Sequence, residues 1–206
     1  MTSPVEPSTA PIIDGLVLSA GRSRRMGRPK ALLPIDEETF IERAIRVLIE
    51  GGCREVFAVV PADAPGVTRL AEQAGARIVV NPDVDSDQAT SLRLGLEAVG
   101  DDADAVAVLP VDHPLISSET VLRLLSKYRE ARPAIVRPVY CGVPGHPGIF
   151  SRRLFPELLD PDLPEGAHTV IEAHRDEVVD VEVRDIGVTA DIDSPDDYRR
   201  LVEGTC

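Results

Sequence analysis

Short apolar runs alternate with amphipathic stretches along most of this chain. Six runs have the length and the Val and Ile content of strands: Ile12–Ser19, Glu55–Val60, Arg77–Asn81, Ala105–Pro110, Ala134–Tyr140 and Val178–Val183. The first five are mostly apolar, as is typical of strands buried on both faces, and the sixth alternates. Strands that alternate with helical segments predict an α/β fold, with a mostly parallel sheet and helices on both of its faces.

Helical segments with recognisable ends fill the gaps between these runs. Thr39 is the predicted N-cap of the first helix, with Glu42 completing a capping box, and Gly51-Gly52 ends that helix. The next three predicted helices are Val67–Ala74, Gln88–Val99 and Glu119–Ala131. Ser194 and Pro195 predict the start of a C-terminal helix, because serine caps a helix and proline suits its first position.

The loop after the first strand concentrates positive charge. Five cationic side chains lie within nine residues, and they are Arg22, Arg24, Arg25, Arg28 and Lys30. The whole chain carries a formal net charge of -13, so this basic segment needs a reason. Small residues such as Ala20 and Gly21 let backbone N–H groups approach a ligand closely, and cations neutralise its charge. The loop therefore predicts an anionic ligand, most simply a nucleoside triphosphate, although a glycine turn beside a solvated basic patch has the same composition.

An aspartate follows the apolar run Ala105–Pro110. Asp112 is placed at the carboxyl end of this strand, which is the edge where open α/β sheets bind ligands. The loop after Leu18 lies at the same edge. Since Mg²⁺ is held by one or two carboxylates together with substrate phosphates, we expect Asp112 to hold Mg²⁺ beside the loop. The alternative is an ordinary aspartate in a turn before a proline.

Two further carboxylates precede the last predicted helix. Asp191 and Asp193 are two positions apart, so their side chains point the same way if the segment is extended. Two roles are open to them, a metal ligand beside Asp112 and a cap for the helix. The pattern does not decide which of the two would hold the metal.

The stretch Gly142–Gly148 is an irregular loop rich in glycine and proline, and His146 is its strong polar side chain. We expect this histidine to contact a second substrate. The spacing of the histidines does not indicate a metal site. A catalytic triad is also poorly supported, because no serine lies in a nucleophile-elbow sequence.

Composition limits the class of protein. With 206 residues, of which 43% are hydrophobic, we expect one domain over residues 12–206, after a disordered tail over residues 1–11. The acidic balance argues against nucleic-acid or anionic-membrane binding, because phosphates would be repelled. No apolar run is long enough to span a bilayer. The three cysteines, Cys53, Cys141 and Cys206, lack metal-ligand spacing and suit a reducing cytoplasm.

Taken together, these motifs resemble the MobA-like NTP transferase family, which includes the molybdenum-cofactor guanylyl- and cytidylyltransferases. The basic loop matches the family pattern L-x-A-G-x-S-x-R-M-G-x-x-K at Leu18, Ala20, Gly21, Ser23, Arg25, Met26, Gly27 and Lys30. Further segments follow in the order of the family: Ser91–Leu96, Pro110–Pro114, Gly145–Pro147 with Phe150, and Asp191–Asp197. The resemblance extends from Leu16 to Leu201, nearly the whole chain.

The resemblance implies a three-layer α/β/α nucleotide-binding fold and the transfer of an NMP unit from an NTP, with release of pyrophosphate. It also implies a nucleotide site. The backbone of Leu18, Ser19, Ala20 and Gly21 would contact the base and ribose, and Ser91 would contact the nucleoside.

The reacting phosphates would be held by charged side chains. The resemblance implies that Arg25 and Lys30 bind the triphosphate and act in catalysis with Asp112, and that Asp112 and Asp193 hold Mg²⁺. The pocket for the acceptor would be lined by Gly145, His146 and Pro147. The chemistry is then positioning and cationic stabilisation of the leaving pyrophosphate, without a protein nucleophile.

Ala20-Gly21 and the Gly-His-Pro loop resemble the cytidylyl branch of the family. CTP is therefore the expected nucleotide, and a small phosphorylated molecule such as molybdopterin is the expected acceptor. A molybdoenzyme is a candidate for a transient contact. The chain departs from the family pattern at Ser19, at Asp87-Gln88 and at His168, where alanine, Gly-Met and arginine are usual. The alternatives are a guanylyl- or sugar-phosphate nucleotidylyltransferase and a non-catalytic, nucleotide-binding accessory protein.

Overall fold

A computed structural model of the protein describes residues 10–19, 29–83, 85–163 and 166–203. The strands in these ranges are β1 (Ile13–Leu18), β2 (Pro34–Ile35), β3 (Glu38–Thr39), β4 (Val56–Pro61), β5 (Arg77–Asn81), β6 (Ala105–Pro110), β7 (Ile135–Tyr140), β8 (Val143–Pro144), β9 (Gly148–Ser151) and β10 (Val178–Glu182). The helices are α1 (Phe40–Glu50), α2 (Pro65–Gln73), α3 (Gln88–Ala98), α4 (Ser118–Ala131), α5 (Phe155–Leu158), α6 (Ala167–Ala173) and α7 (Pro195–Val202).

The central sheet has the strand order β5-β4-β1-β6-β9-β7-β10. Its pairs are parallel, except that β9 runs antiparallel to both β6 and β7. The short strand β8 pairs with β7, and β2 and β3 form a separate two-stranded ribbon. The predicted α/β fold with a mostly parallel sheet is therefore confirmed.

The two faces of the sheet bury two separate cores because side chains alternate along each strand. In β1, Ile13 and Val17 belong to one core, whereas Leu16 and Leu18 belong to the other. The first core packs against α1, α2, α4 and α7, and the second against α3, α5 and α6. Each buried Leu, Ile or Val side chain contributes roughly 1.5–3 kcal/mol of hydrophobic free energy. Helices on both faces therefore complete the three layers.

Two of the predicted helix ends are present with their side-chain partners. The backbone N–H of Thr39 donates to Glu42 Oε2 at 2.8 Å, so the capping box at the start of α1 is formed. At the start of α7, Ser194 Oγ accepts from the backbone N–H of Asp197 at 3.2 Å. None of the helices in the described ranges has the length and apolar character needed to cross a membrane.

The segment after β7 differs most from the sequence prediction. The stretch Cys141–Gly148, predicted as a loop, contains β8 and the first residue of β9. Strand β9 was not predicted, and neither were α5 and α6. Strand β9 lies between β6 and β7 and places these two strands two strand spacings apart.

The strand order brings the ends of β1 and β6 together. After β1 the chain builds β4 and β5 on one side, and it then crosses to β6 on the other side. Such a reversal opens a crevice at the carboxyl ends of the strands. Here the two ends are joined directly, since the backbone N–H of Val111 donates to the carbonyl of Leu18 at 3.0 Å.

The histidine that ends α6 gives the fold a pH-dependent contact. His174 Nε2 lies 2.9 Å from Glu157 Oε2, and its Nδ1 lies 3.1 Å from Glu177 Oε1. These bonds, that with Glu157 first, raise the pKa of His174 above its ordinary value. A raised histidine pKa stabilises the fold fully below the unfolded pKa of about 6.5, and the gain is lost as pH rises through the folded pKa.

We expect His174→Gln to lower the melting temperature at pH 5.5 more than at pH 9. Because His174 and its two carboxylate partners are partly exposed, the loss of folding free energy should not exceed about 1 kcal/mol. For a chain of this size, that loss lowers the melting temperature by roughly 2–4 °C. Scanning calorimetry of both proteins across this pH range measures the difference. An identical decrease at both pH values would contradict the assignment.

Candidate active site

Lys30 is held at the sheet edge by the residues around it. It begins a single turn of 3-10 helix, Lys30–Leu32, and the following Ala31 and Leu33 are buried in the core. Helix α7 fixes the segment from outside, because the hydroxyl of Tyr198 donates to the carbonyl of Pro34 at 2.8 Å. The side chain of Lys30 is itself only 14% exposed.

The ammonium group of Lys30 meets two carboxylates from distant parts of the chain. Its Nζ donates to Asp112 Oδ2 at 3.4 Å and forms a short ion pair with Asp193 Oδ1. The backbone reinforces this arrangement, since the N–H of Ile192 donates to the carbonyl of Asp112 at 2.9 Å. The predicted proximity of Lys30, Asp112 and Asp193 is thus present at the carboxyl edge of the sheet. Their roles stay predictions.

The same carboxylates have the chemistry of a divalent-cation site. Asp112 Oδ1 is buried and accepts no hydrogen bond from the residues that the structure describes. A buried anionic oxygen without a donor is costly unless a cation or donor satisfies it. In the described part of the chain no group of three or more His, Cys, Asp or Glu side chains could hold a metal. The protein therefore offers a pair of carboxylates, which suits Mg²⁺ or Mn²⁺ completed by phosphates and water.

The structure separates the two aspartates before α7. The cap of α7 is formed by Ser194 with Asp197, so neither Asp191 nor Asp193 is needed for it. Asp193 faces Lys30, whereas Asp191 lines the neighbouring cavity. Of the two, Asp193 is the better candidate for a metal ligand beside Asp112.

A cavity of about 680 Å³ opens beside this charged cluster. Much of its wall is apolar and includes Leu18, Leu92, Val108, Ile135, Phe150 and Ile171. Its polar side chains include Asp87, His113, Arg137, His146, His168 and Asp191. Pro110 and His113, on either side of Asp112, also line it. The cavity is thus large enough for a small organic substrate and adjoins the predicted metal site.

The predicted acceptor loop forms one wall of this cavity. Gly145 and His146 line it, while Pro147 is buried behind them. The loop is tied to the segment after β10, because the N–H of His146 donates to the carbonyl of Val188 at 2.9 Å. A Cβ atom at position 145 would lie 2.0 Å from that same carbonyl oxygen, so only glycine fits there.

His146 packs against a second histidine of the cavity. The ring centroids of His113 and His146 are 4.7 Å apart. Burial, first, and the neighbouring His113 lower the pKa of His146 to about 4, although Asp112 acts in the opposite direction. His146 is therefore neutral at neutral pH and presents an uncharged imidazole to the cavity. Its predicted contact with the acceptor stays a prediction.

The serines of the predicted nucleotide site have partners within the protein. Ser19 Oγ donates to the carbonyl of Val59 at 2.8 Å, which ties the end of β1 to β4. Ser91 is fully buried, and its Oγ accepts from Asn81 Nδ2 at 3.1 Å. Neither side chain lines the cavity, whereas Leu18 does. The predicted contacts of Ser19 and Ser91 with the nucleotide stay predictions.

Part of the predicted nucleotide site lies outside the described residues. Ala20, Gly21 and Arg25 belong to the segment 20–28, which the structure does not describe. Their predicted contacts with base, ribose and triphosphate therefore rest on the sequence. Lys30 is the member of the basic loop whose position in the site is known.

Arg137 is a cavity residue that the sequence analysis did not select. It lies in the middle of β7 and pairs with Asp180 of β10, with Nε 2.6 Å from Oδ1. A charged residue within an otherwise apolar strand was the available signal, since such a residue requires a partner or a ligand. Asn81 was missed similarly. It ends β5, is fully buried and holds Ser86 and Ser91.

A mostly parallel sheet with a lysine, two aspartates and a cavity at its carboxyl edge defines an α/β protein whose site suits phosphate chemistry. Comparison of the sequence with protein families gives the particular family. The model of the MobA-like NTP transferase domain matches residues 15–178, and the chain belongs to this family of nucleotidyltransferases. The resemblance stated from the motifs is confirmed.

Individual relatives span nearly the whole chain. Nicotine blue oxidoreductase from Paenarthrobacter nicotinovorans is 32% identical over 205 residues, covering 93% of this chain and 97% of the relative. Molybdenum cofactor cytidylyltransferase from Escherichia coli K12 is 24% identical over 187 residues, covering 90% and 93%. Among solved structures, Rv0371c from Mycobacterium tuberculosis H37Rv superposes with a TM-score of 0.83 at 33% identity, covering 95% and 99%. A further structure is described as an Rv0371C complex with manganese, with a TM-score of 0.78 at 29% identity and coverage of 95% and 100%.

Proposed function

We propose that the protein transfers an NMP unit from an NTP, CTP in the first instance, to a small phosphorylated acceptor and releases pyrophosphate. The observation that carries the proposal is the meeting of Lys30, Asp112 and Asp193 beside a cavity at the carboxyl edge of the sheet. Two carboxylates can hold Mg²⁺ together with substrate phosphates, and a lysine beside them can bind the triphosphate. Membership of the nucleotidyltransferase family supports the same reaction.

Each charged residue has a defined task in this proposal. Asp112 and Asp193 would hold Mg²⁺, which neutralises phosphate charge and polarises the phosphoryl oxygen when it is bound. Lys30 would bind the triphosphate and stabilise the negative charge that develops on the leaving pyrophosphate. Arg25 is proposed to assist it, on the family pattern alone. The protein needs no nucleophile of its own, because the acceptor phosphate attacks the α-phosphorus directly.

The acceptor is proposed to bind in the cavity beside His146. Molybdopterin is the acceptor that the cytidylyl-like motifs favour, and a transient contact with a molybdoenzyme stays a prediction. The single domain predicted over residues 12–206 would carry both sites. His168 stands where the family pattern has arginine, so the anionic end of the acceptor needs another cation in this chain.

Nucleotide binding tests the proposal directly. Isothermal titration of the protein with CTP, GTP, ATP and UTP in the presence of Mg²⁺ should show binding, strongest for CTP, and loss of binding when EDTA removes the metal. Pyrophosphate release with molybdopterin as acceptor then tests the transfer. If none of the four nucleotides binds, the proposal is wrong; if another nucleotide binds best, only the base preference is wrong.

A second candidate is a redox reaction. It rests on the 32% identity, over 93% of the chain, to a protein named nicotine blue oxidoreductase. That protein belongs to another functional class by name, although it aligns with the chain almost end to end. Oxidation of reduced nicotinamide cofactors in the presence of nicotine blue, without any requirement for an NTP, would favour this candidate. Pyrophosphate release without redox turnover would exclude it.

A further inference from the structure

The cavity contains one permanently charged cation among the described residues that line it, and this cation is Arg137. Its side chain is 26% exposed, and its guanidinium is held at one edge by Asp180, with Nε 2.6 Å from Oδ1 and Nη2 3.3 Å from Oδ2. A guanidinium has five N–H donors, so this pairing leaves three of them without a partner among the described residues. Those donors form a planar fork that matches a carboxylate or a phosphate.

Arg137 lies far from the charged cluster at Lys30. Strand β7 is separated from β6 by β9, which corresponds to about 10 Å across the sheet. Asp180 belongs to β10, on the far side of β7, so the guanidinium is drawn away from β6. A single small anion therefore cannot contact both Arg137 and the cluster of Lys30, Asp112 and Asp193.

The rest of the cavity directs an anion towards this position. Ile135, Phe150 and Ile171 give the cavity apolar walls, which strengthen a charge-assisted hydrogen bond. Two carboxylates, Asp87 and Asp191, also line the cavity and repel anions from their part of it. Asp87 is the N-cap of α3, where its bond with the backbone of Thr90 lowers its pKa and keeps it ionised.

We propose that Arg137 binds an anionic group of the acceptor, at the opposite end from the phosphate that attacks the nucleotide. The acceptor is then an elongated molecule with an anionic group at each end, about 10 Å apart and joined by an apolar or planar body. Asp180 acts as a positioning residue that orients the guanidinium. This inference rests on the proposed function, because that function places the attacking phosphate near Lys30.

Binding of a matched pair of probes tests this proposal without requiring turnover. The probe is 4-(phosphonooxymethyl)benzoate, which carries phosphate and carboxylate at opposite ends of a rigid ring, and its partner is the methyl ester, which lacks the second charge. Isothermal titration in the presence of CTP and Mg²⁺ should give wild-type protein about a tenfold or greater preference for the diacid. Arg137→Gln should bring the ratio near one and leave CTP binding unchanged. Asp180→Asn should give an intermediate ratio.

A second arginine provides the control. Arg153 pairs with the exposed Glu177 and does not line the cavity, so Arg153→Gln removes a charge of the same kind without altering the ratio. Melting curves show whether each variant is folded. Equal affinity of the wild-type protein for both probes, or no binding of the diacid up to about 10 mM, overturns the inference. Absence of CTP binding overturns the proposed function instead, and the probe titration without nucleotide still reads the Arg137 subsite.

Discussion

Replacing Asp112 with asparagine is expected to lower kcat/KM for pyrophosphate release by about a hundredfold or more, and Lys30→Ala by a similar factor. Asp112→Asn removes one of two carboxylates proposed for the metal, and the buried position of Oδ1 is then occupied by a neutral group. Lys30→Ala removes the cation that lies between Asp112 and Asp193. Each change removes charge that is needed in the transition state rather than bulk from the core. The measurement is steady-state pyrophosphate release from CTP with molybdopterin as acceptor.

Two exposed ion pairs offer matched controls for these variants. Asp196 pairs with Arg199 on α7, and Lys127 pairs with Glu130 on α4, both away from the cavity. Asp196→Asn and Lys127→Ala change the same charges and should leave kcat/KM within about twofold of wild type. Mn²⁺ binding adds a readout that does not depend on the acceptor, and Asp112→Asn should weaken it. Activity of Asp112→Asn within threefold of wild type, in a folded protein, would remove Asp112 from the proposed mechanism.

Most strands of this fold could be predicted because each carries its own signal. β1, β4, β5, β6 and β7 are mostly apolar runs, and helical segments separate most of them along the chain. The edge at which Asp112 and Lys30 meet followed from the rule that parallel strands share one carboxyl edge. Local pattern and global topology agree at these positions, so the sequence was sufficient.

Strand β9 shows where local pattern was insufficient. It spans Gly148–Ser151 and starts in a segment rich in glycine and proline. It pairs with the nearby β7 and with β6, which lies far from it in sequence. Only tertiary pairing gives so short a segment its structure. Insertion of this strand also separates Arg137 from Asp112, which no linear pattern expresses. The cavity that Arg137 lines could therefore not be predicted without the strand order.

The buried hydrogen bonds near the site could not be predicted from the sequence either. Ser91 was selected as a nucleoside contact from a family pattern, yet its hydroxyl is engaged with Asn81 inside the protein. Asn81 itself carries no pattern that distinguishes it from an asparagine in a turn. Which polar side chains bond one another across elements depends on distances that the sequence does not state.

Loss of Arg54 is expected to destabilise the fold strongly without affecting catalysis. Asp14, the second residue of β1, is 0% exposed, and its carboxylate is bound by Arg54 through Nε at 3.0 Å and Nη2 at 2.7 Å. Arg54→Met leaves a buried carboxylate without its cation, which costs about 3 kcal/mol and lowers the melting temperature by roughly 6–12 °C. Urea unfolding measures the change in the free energy of unfolding. The value of kcat should be unchanged, because Asp14 lies four residues before Leu18, the active-site end of β1.

Replacing the other partner of the ion pair, Asp14, distinguishes the cost of a buried charge from the loss of packing. Asp14→Val leaves Arg54 partly exposed and still paired with Asp102, so it is expected to cost less than Arg54→Met. The double variant Asp14→Val/Arg54→Met has no buried charge at all and should recover most of the lost stability, since apolar replacement of a buried pair is often neutral. The coupling energy of this cycle should therefore be at least about 1 kcal/mol and favour the double variant. Additive losses would mean that Arg54 acts through packing of its side-chain carbons, and that the charge of Asp14 is satisfied by other means.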